Sequence, residues 1–314
     1  MLGYLAGRLA GAVLTLACVS ALAFFATALA PGNPASVLLG NMATPERVAA
    51  VEKQLGLDQP LPTRYVLWLE QTVQGNLGTS NLSFRPVADL LAAALPVTLE
   101  LATLSLVLAV LTGVPAGLVL AQQRERRWTK YAMAAITLGV SVPGFWVGLI
   151  LIVVFAVTLR LLPSGGYVPF SRDPVQNLRH MVLPTVSLAI YLAPALVRFV
   201  RVAAQAVLRE EYIDTARAKG ISAARVLFRH VAPNTLIVTL TYIGLQLGVL
   251  ISGAIVIEVI FALPGIGRLG MSAVLNRDYP VIQGVVLLAA TAYVLVNLLV
   301  DLAYGLIDPR VRTR

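Results

Sequence analysis

The sequence predicts an all-α integral membrane protein with about six transmembrane helices. Its composition leads to this fold class, because 58% of the 314 residues are hydrophobic and only 12% are charged, whereas soluble domains carry roughly 25% charged residues. The mean hydropathy of +0.82 indicates the same, since a soluble domain of this length could not bury so much apolar surface. Helices are expected because lipid cannot satisfy the hydrogen-bonding groups of an open sheet edge.

Six apolar runs are each long enough to cross a hydrocarbon core of about 30 Å at about 1.5 Å per helical residue. The runs are residues 9–30, 97–121, 131–158, 181–200, 235–262 and 281–307. Pro143 and Gly144 interrupt the third run. The first run ends in Ala28-Leu29-Ala30, which is similar to a signal-peptidase site, but its 22 residues exceed the roughly 7–15 of a signal sequence. We therefore interpret it as an uncleaved first helix.

The runs divide the chain into a first transmembrane helix at 1–30, an extracytoplasmic segment at 31–96, a five-helix core at 97–307 and a tail at 308–314. A helix is predicted at 45–55 within the extracytoplasmic segment. The core contains a large cytoplasmic loop at 201–232 and a short outer loop at 159–180.

The net charge of +9 is explained by short clusters of Lys and Arg between the runs. Such clusters indicate membrane orientation and contact with anionic lipid headgroups rather than nucleic-acid binding. With both termini inside, 15 Lys and Arg face the cytoplasm and 9 face outward. The extracytoplasmic segment exceeds the roughly 60 residues over which the positive-inside rule holds, and omitting it leaves 15 against 5. We therefore expect both termini in the cytoplasm.

The large cytoplasmic loop contains a short amphipathic helix that begins at Glu211 and ends before Gly220. Tyr212, Ala216 and Lys219 recur at three- and four-residue spacing on one side of it. Acidic residues start this helix and basic residues end it, as the helix dipole favours. Gly220 is expected in the left-handed conformation that commonly closes a helix.

The other residues of the loop are polar or continue the helical pattern. Asp214, Arg217 and Arg225 are expected to face solvent or a partner. A second helix is predicted at 223–230, ended by Pro233. The pattern alone is also that of an ordinary solvated loop with positive-inside charges.

This loop resembles the "EAA" loop of binding-protein-dependent ABC transporter permeases. In that loop Glu-Ala-Ala is followed after a short spacer by Gly and, further on, by Pro. Here Asp214-Thr215-Ala216, Gly220 and Pro233 occupy those positions. Asp-Thr replaces Glu-Ala, and His-Val-Ala replaces the usual aliphatic run before the proline.

Phrases similar to the peptide/nickel branch of this family recur along almost the whole chain. They are Leu55-Gly-Leu-Asp-Gln-Pro60, Pro96-Val-Thr-Leu-Glu-Leu101, Leu162-Pro-Ser-Gly-Gly-Tyr167, Tyr212-Ile-Asp-Thr-Ala-Arg-Ala-Lys-Gly220, Glu258-Val-Ile-Phe-Ala-Leu-Pro-Gly-Ile-Gly267, Asn276-Arg-Asp-Tyr-Pro280 and Asp301-Leu-Ala-Tyr-Gly-Leu-Ile-Asp-Pro-Arg310. The resemblance implies a type I ABC importer permease fold in a bacterial inner membrane.

The resemblance implies that the loop is a coupling helix, which sits in a groove of a cytoplasmic ATPase and passes ATP-driven closure to the membrane helices. The residues to which it gives this role are Glu211, Asp214, Ala216, Arg217, Lys219, Gly220 and Pro233. It also implies two ABC ATPase subunits that bind ATP and Mg, a second homologous permease, and an extracytoplasmic substrate-binding protein. The mechanism implied is alternating access.

Neither catalysis nor a cofactor or metal is expected on this chain. The lysines are Lys53, Lys130 and Lys219, and none follows a glycine, so a Walker A phosphate loop is absent and the ATPase must be another chain. His180 and His230 fall on opposite sides of the predicted membrane, so they cannot share a metal site.

Two further signals have structural interpretations. Gly265-Ile-Gly267-Arg-Leu-Gly270 matches the dinucleotide-binding pattern, but that motif requires a strand and a soluble βαβ unit. We interpret it as a flexible re-entrant or gate-proximal turn. Cys18 lies in the first apolar run and is expected to be a small buried hydrophobe.

Three acids lie within or near the apolar runs, where a carboxylate is costly and is often functional. Glu100 is placed as a first-turn partner of the helix dipole, Glu258 as an anchor of the turn at Pro264, and Asp301 as a partner of an arginine such as Arg310. A structural role is favoured over substrate contact for all three.

The resemblance leaves the substrate open. Di- and oligopeptides are the expected cargo, with nickel or other metal chelates, glutathione and haem as alternatives. The rival class is a secondary transporter or channel that works without ATPases, which predicts a coupling acid at mid-bilayer and often inverted repeats. No such repeat is evident in the sequence.

Overall fold

The computed structural model describes residues 2–30, 39, 43–54, 56 and 58–307. In chain order its helices are α1 (Leu2–Ala28), α2 (Pro45–Gln54), α3 (Leu61–Val73), α4 (Val87–Gln122), α5 (Arg127–Ser141), α6 (Gly144–Leu151), α7 (Pro174–Val207), α8 (Glu211–Ala218), α9 (Ala223–Val226), α10 (Ala232–Ile260), α11 (Ile266–Leu275) and α12 (Tyr279–Ile307). Two π-helical stretches, Ile152–Thr158 and Leu227–Val231, continue α6 and α9. Within the described ranges, extended pairing is limited to an isolated bridge between Thr79 and Pro86.

Four helices, α1, α4, α7 and α12, contain stretches long and apolar enough to cross a membrane, and α5 with α6 would form a fifth, broken span. The break falls at Pro143, as the sequence predicts. The remaining apolar run forms α10, in which several side chains lie outside the described residues. At about 1.5 Å per residue α10 is about 43 Å long, a length that fits a sixth crossing.

The second span begins well before the predicted residue 97. Val87, Leu91 and Ala94 recur at helical spacing and are buried in a cluster with Ile266 and Val281. This burial stabilises three additional helical turns, so the predicted extracytoplasmic segment leads directly into α4. The spacing of the three apolar residues was a signal for this extension.

The glycine-rich stretch that starts at Gly265 is the beginning of a helix. Gly265 lies at the N-terminal boundary of α11, and Ile266 and Gly267 are buried in its first turn. The chain is helical here and does not form a flexible turn, because Ile266 and Ala273 of α11 pack in the cluster with Val87. The re-entrant or gate-proximal position stays a prediction.

The first compact unit comprises residues 1–97 and 264–295. In it, α3 packs against the last turns of α1 through Phe24, Phe25, Tyr65 and Trp68, whose ring centroids lie 5.5 to 6.1 Å apart. The hydroxyls of Ser20 and Tyr65 share a hydrogen bond of 2.9 Å. These contacts fix α3 beside the end of α1.

In the same unit, a buried carboxylate holds the loop that follows α3 in place. Asp278 accepts hydrogen bonds from the Ser80 hydroxyl at 2.6 Å and from the Asn81 backbone N–H at 3.0 Å. Ser80 and Asp278 are both almost fully buried. A carboxylate that accepts two hydrogen bonds is a strong clamp, so the loop has a defined shape.

The second compact unit comprises residues 98–263 and 296–314, and α7 and α10 are its central pair. α4 crosses α7 where Gly117 lies against Val200, because a Cβ at position 117 would come within 2.7 Å of the Val200 Cβ. Gly113 lies one turn earlier. This Gly-x-x-x-Gly spacing permits the close approach of membrane helices.

Candidate functional site

Helix α8 is attached to its own chain by two apolar side chains. Ile213 is fully buried and Ala216 nearly so. They join a core formed by Val114, Leu118, Ala121, Leu196, Val200, Ala204, Val226, Leu227, Val231 and Ala232. These residues belong to the ends of α4 and α7, to the α9 segment and to the start of α10, so α8 rests on the ends of three long helices.

The C-terminus of α8 confirms the left-handed conformation expected of Gly220, which has a φ of +74°. Its N–H donates to the Arg217 carbonyl oxygen at 2.9 Å, and the Ile221 N–H donates to the Ala216 carbonyl oxygen at 3.2 Å. These two bonds define a Schellman motif. Ile221 then packs on the same core as Ala216, which fixes the direction in which the chain leaves α8.

The opposite face of α8 is polar and exposed, and it carries the charged residues Glu211, Asp214, Arg217 and Lys219. Asp214 and Arg217 form an ion pair of 3.3 Å in which both side chains are more than half exposed. Ion pairs of this kind contribute about 0–1 kcal/mol. Either charge can therefore exchange this contact for one with a partner at little cost.

The buried face of α8 is centred on Ile213, which the predicted amphipathic pattern does not include. Tyr212 and Lys219 are exposed rather than packed beside Ala216. Ile213 takes that place, and its three-residue spacing from Ala216 was the signal for it. Partial desolvation of the phenol and the nearby charge of Glu210 raise the pKa of Tyr212, so its hydroxyl is neutral at physiological pH.

The segment after Gly220 differs from the prediction at its far end. α9 begins at Ala223 as expected, and the Gln122 side chain donates to the Ala223 carbonyl oxygen at 2.9 Å. The helical backbone does not stop before Pro233, which lies in the first turn of α10. Proline is tolerated there because first-turn N–H groups have no intrahelical acceptor. The loop therefore continues into a membrane helix without a break.

Glu258 is fully buried near the end of α10. Its Oε1 accepts a hydrogen bond of 2.6 Å from the Thr98 hydroxyl on α4. Its backbone carbonyl oxygen accepts from the Leu263 N–H at 2.8 Å. The Glu258 side chain thus joins α10 to α4, while its backbone carbonyl takes part in the turn that follows α10.

Glu100 is not in the first turn of its helix, because α4 begins at Val87, so the helix-dipole interpretation does not hold. Its Oε2 accepts a hydrogen bond of 2.7 Å from the Tyr167 hydroxyl. Burial, together with that hydrogen bond and the charge of Glu100, raises the pKa of Tyr167 to about 12. The Gly166 N–H donates to the Phe261 carbonyl oxygen at 2.8 Å. The loop between α6 and α7 is therefore fastened to both α4 and α10.

The third acid, Asp301, lies in α12, and its side chain and Arg310 lie outside the described residues. Cys18 is exposed on α1, unlike the buried position expected, because no other part of the described chain covers that face of α1. In the described part of the chain, no three His, Cys, Asp or Glu side chains lie close enough to hold a metal ion.

Comparisons with known proteins identify the family of membrane proteins to which the chain belongs. Residues 113–313 match the family described as binding-protein-dependent transport system inner membrane component, and residues 1–102 match the N-terminal part of such membrane components. The chain belongs to this family of inner-membrane permeases.

Two relatives are similar over almost the full chain. The chain is 41% identical over 310 residues to the probable peptide ABC transporter permease protein of Sinorhizobium fredii, covering 98% of this chain and 99% of the relative. It is 40% identical over 312 residues to the glutathione transport system permease protein GsiC of Escherichia coli, covering 99% of each. A crystal structure of an amino acid ABC transporter with histidines matches 71% of this chain and 94% of its own, at a TM-score of 0.48 and 19% identity.

The chain is therefore a permease subunit of an ABC importer, a multi-pass inner-membrane protein with the type I permease fold. It is not the enzyme of the importer, because ATP is hydrolysed on separate ATPase subunits. Its family works with such ATPases and with a substrate-binding protein. Membership of this family also rules out the alternative interpretation of the chain as a secondary transporter.

Proposed function

We propose that this permease imports di- or oligopeptides and is driven through the exposed face of α8. The observation that supports the coupling role is the two-sided packing of that helix. Ile213 and Ala216 attach it to the ends of three long helices, and its charged face is open to a partner. Movement imposed on such a helix is passed to the membrane-spanning helices.

The charges of α8 suit a groove on an ATPase subunit. Glu211 and Asp214 lie in its first turn, and Arg217 lies in its last, so a partner with charges in the opposite order would bind it in one direction. Ala216 is buried in its own chain. Its small size therefore sets how closely α8 approaches the membrane helices rather than how closely it approaches the ATPase.

Photo-crosslinking of the assembled importer tests this contact. The photoreactive residue p-benzoylphenylalanine replaces Tyr212, which is 45% exposed, or Phe170 in the loop before α7, which is 55% exposed. We expect a crosslink to an ATPase subunit from position 212. We expect none from position 170, because we place residue 170 on the extracytoplasmic side of the membrane. An assembled importer that gives no crosslink from position 212 would contradict the coupling role.

Peptide import is supported by the Sinorhizobium relative, a probable peptide ABC transporter permease that is 41% identical to this chain. Glutathione, itself a tripeptide, is the second candidate because GsiC is 40% identical over the whole chain. Uptake of a labelled dipeptide, a labelled tripeptide and labelled glutathione into vesicles that contain the permease, its ATPases and its binding protein separates them. Uptake of glutathione alone would exclude general peptide import.

A single subunit of about six spans cannot enclose a route for a peptide, so we propose a second homologous permease and two ATPases that bind ATP and Mg. Both termini lie in the cytoplasm in this arrangement. ATP binding closes the ATPases and opens the pathway outward, and hydrolysis resets it. Native mass spectrometry of the purified importer tests the subunit count, and a complex with one permease would contradict it.

A further inference from the structure

The position of α3 on α1 determines what surrounds α3. The Tyr65 hydroxyl bonds Ser20 at 2.9 Å, and the rings of Tyr65 and Trp68 pack on Phe24. The stretch of α1 that is long and apolar enough to span a membrane ends at Ala28. With the membrane boundary placed at that end, Ser20 lies about 12 Å and Phe24 about 6 Å inside it, at about 1.5 Å per residue. Contacts this far along the span hold α3 at the depth of the membrane boundary rather than above it.

One side of α3 is an apolar stripe. Pro62, Val66, Leu69 and Val73 recur at spacings of four, three and four residues, which aligns them along the helix. The stripe adjoins the aromatic side that packs on α1. Val66 is nevertheless 61% exposed and Val73 80% exposed, so within the described chain this stripe faces outward.

The other exposed side of α3 is mostly polar, with Glu70, Gln71 and Gln74 on the surface and Leu67 as the apolar exception. The helix has one Arg and one Glu. Its Tyr and Trp are the residue types enriched where membrane meets water. A helix with one apolar side and one polar side can lie along a membrane interface.

We propose that α3 is an interfacial anchor that lies in the outer headgroup layer with Val66, Leu69 and Val73 in contact with lipid. Lipid is the occupant because α1 fixes the depth of the helix, and a water-soluble partner reaches only side chains that rise above the headgroups. Leu22 of α1, 70% exposed near the α3 contacts, continues the apolar surface into the membrane. The anchor ties the extracytoplasmic segment to the bilayer surface.

Site-directed fluorescence on the assembled importer in liposomes tests the proposal. Cys18 is first replaced by Ser, since it is the one cysteine of the chain. Single cysteines then replace Val66 or Val73 on the stripe, and Glu70 or Gln74 as matched controls on the polar side. Each is labelled with an environment-sensitive dye and quenched either by spin-labelled lipid or by aqueous iodide.

We expect spin-labelled lipid to quench the stripe labels roughly threefold more than the control labels, and iodide to show the reverse order. Equal access of iodide to both sides would overturn the proposal, because the stripe would then face water. Stripe labels shielded from both quenchers would also overturn it, because protein would then cover the stripe.

A second measurement does not depend on introduced cysteines. With Trp128 and Trp146 replaced by Phe, Trp68 is the remaining tryptophan. Brominated lipids should quench its emission, and a lack of quenching would overturn the interfacial position. Neither measurement requires transport, so both outcomes are independent of the proposed substrate and of the coupling role of α8.

Discussion

At position 220 the backbone conformation limits which residue can be accepted. A Cβ added there would meet nothing within 4 Å, but φ is +74°. The left-handed conformation costs a non-glycine residue roughly 1–2 kcal/mol, and Asn adopts it more readily than β-branched residues do.

We therefore expect Gly220→Val to abolish ATP-driven uptake in proteoliposomes, whereas Gly220→Asn retains most of it. The Val variant disturbs the Schellman motif that orients α8, and the Asn variant preserves it. Uptake is normalised to the amount of assembled complex. A Val variant that assembles and transports at the wild-type rate would contradict the role of this residue.

Ala262 adopts a similar conformation without being glycine, with a φ of +53°. The Ala262 N–H donates to the Val259 carbonyl oxygen, and the following Leu263 N–H donates to that of Glu258, so α10 ends in a Schellman motif of its own. We expect Ala262→Gly to raise the free energy of unfolding by up to about 1 kcal/mol, because it removes the left-handed penalty of the Cβ.

Thermal unfolding in detergent measures this change. The matched control is Ala254→Gly, at a fully buried position within α10, which should lower the melting temperature because glycine inside a helix costs roughly 0.5–1 kcal/mol. A lower melting temperature for Ala262→Gly would show that the left-handed conformation is not retained.

The Tyr167 phenol should not ionise in the physiological pH range. The pKa of Tyr167 is raised to about 12, whereas an unperturbed tyrosine titrates near 10. A raised folded-state pKa contributes stability that is fully present below about pH 10 and is lost as the pH rises through about 12. Ultraviolet titration of the phenolate, compared with Tyr167→Phe, should show one tyrosine ionising only above pH 11. Ionisation near pH 10 would contradict the partly buried hydrogen bond to Glu100.

Among the helices, apolar runs were good predictors of position and poorer predictors of boundaries. The break at Pro143 and the helix that starts at Pro45 were predicted, because proline acts locally. The start of α4 at Val87 was not, because polar residues such as Asp89 alternate there with apolar residues that are buried only by contacts distant in sequence. The helix α3 was missed for the same reason: the aromatic residues that hold it lie on α1.

The same limit applies to the candidate sites. The start of α8 and the left-handed Gly220 follow from local sequence rules for helix ends. The partner of Glu100 could not be derived, because Tyr167 lies far away in the sequence and spacing rules do not reach it. Pro233 was misjudged because a proline is equally compatible with the end of one helix and with the first turn of the next.

The attachment of α8 predicts a specific failure. Truncation of a buried isoleucine to alanine costs about 2–5 kcal/mol, so Ile213→Ala should loosen α8 on its core while leaving the charged face intact. We expect ATP hydrolysis to continue with a much smaller amount of substrate moved per ATP. Thr215→Ala, at an exposed position of the same helix, is the control. An unchanged ratio of transport to hydrolysis in Ile213→Ala would show that coupling does not depend on this attachment.

For the molecule as a whole, the sidedness of the loops can be tested with two matched phenylalanines. Phe170 is 55% exposed in the loop before α7, and Phe228 is 70% exposed beyond α8. In a Cys18→Ser background, we expect a membrane-impermeant maleimide to label Phe170→Cys in intact spheroplasts. Phe228→Cys should be labelled only after the membrane is opened. The reverse order would place the termini outside and α8 away from any cytoplasmic ATPase.

The continuity of the backbone from Pro233 to Glu258 has a geometric consequence. If α10 moves as one rigid helix of about 43 Å, a tilt of about 10° about one end moves the other end by about 7 Å. The end near Pro233 lies beside α8, and the end near Glu258 carries the hydrogen bond to Thr98. A small rotation at the end near Pro233 therefore produces a displacement of about 7 Å at the end near Glu258, which is wider than a peptide backbone.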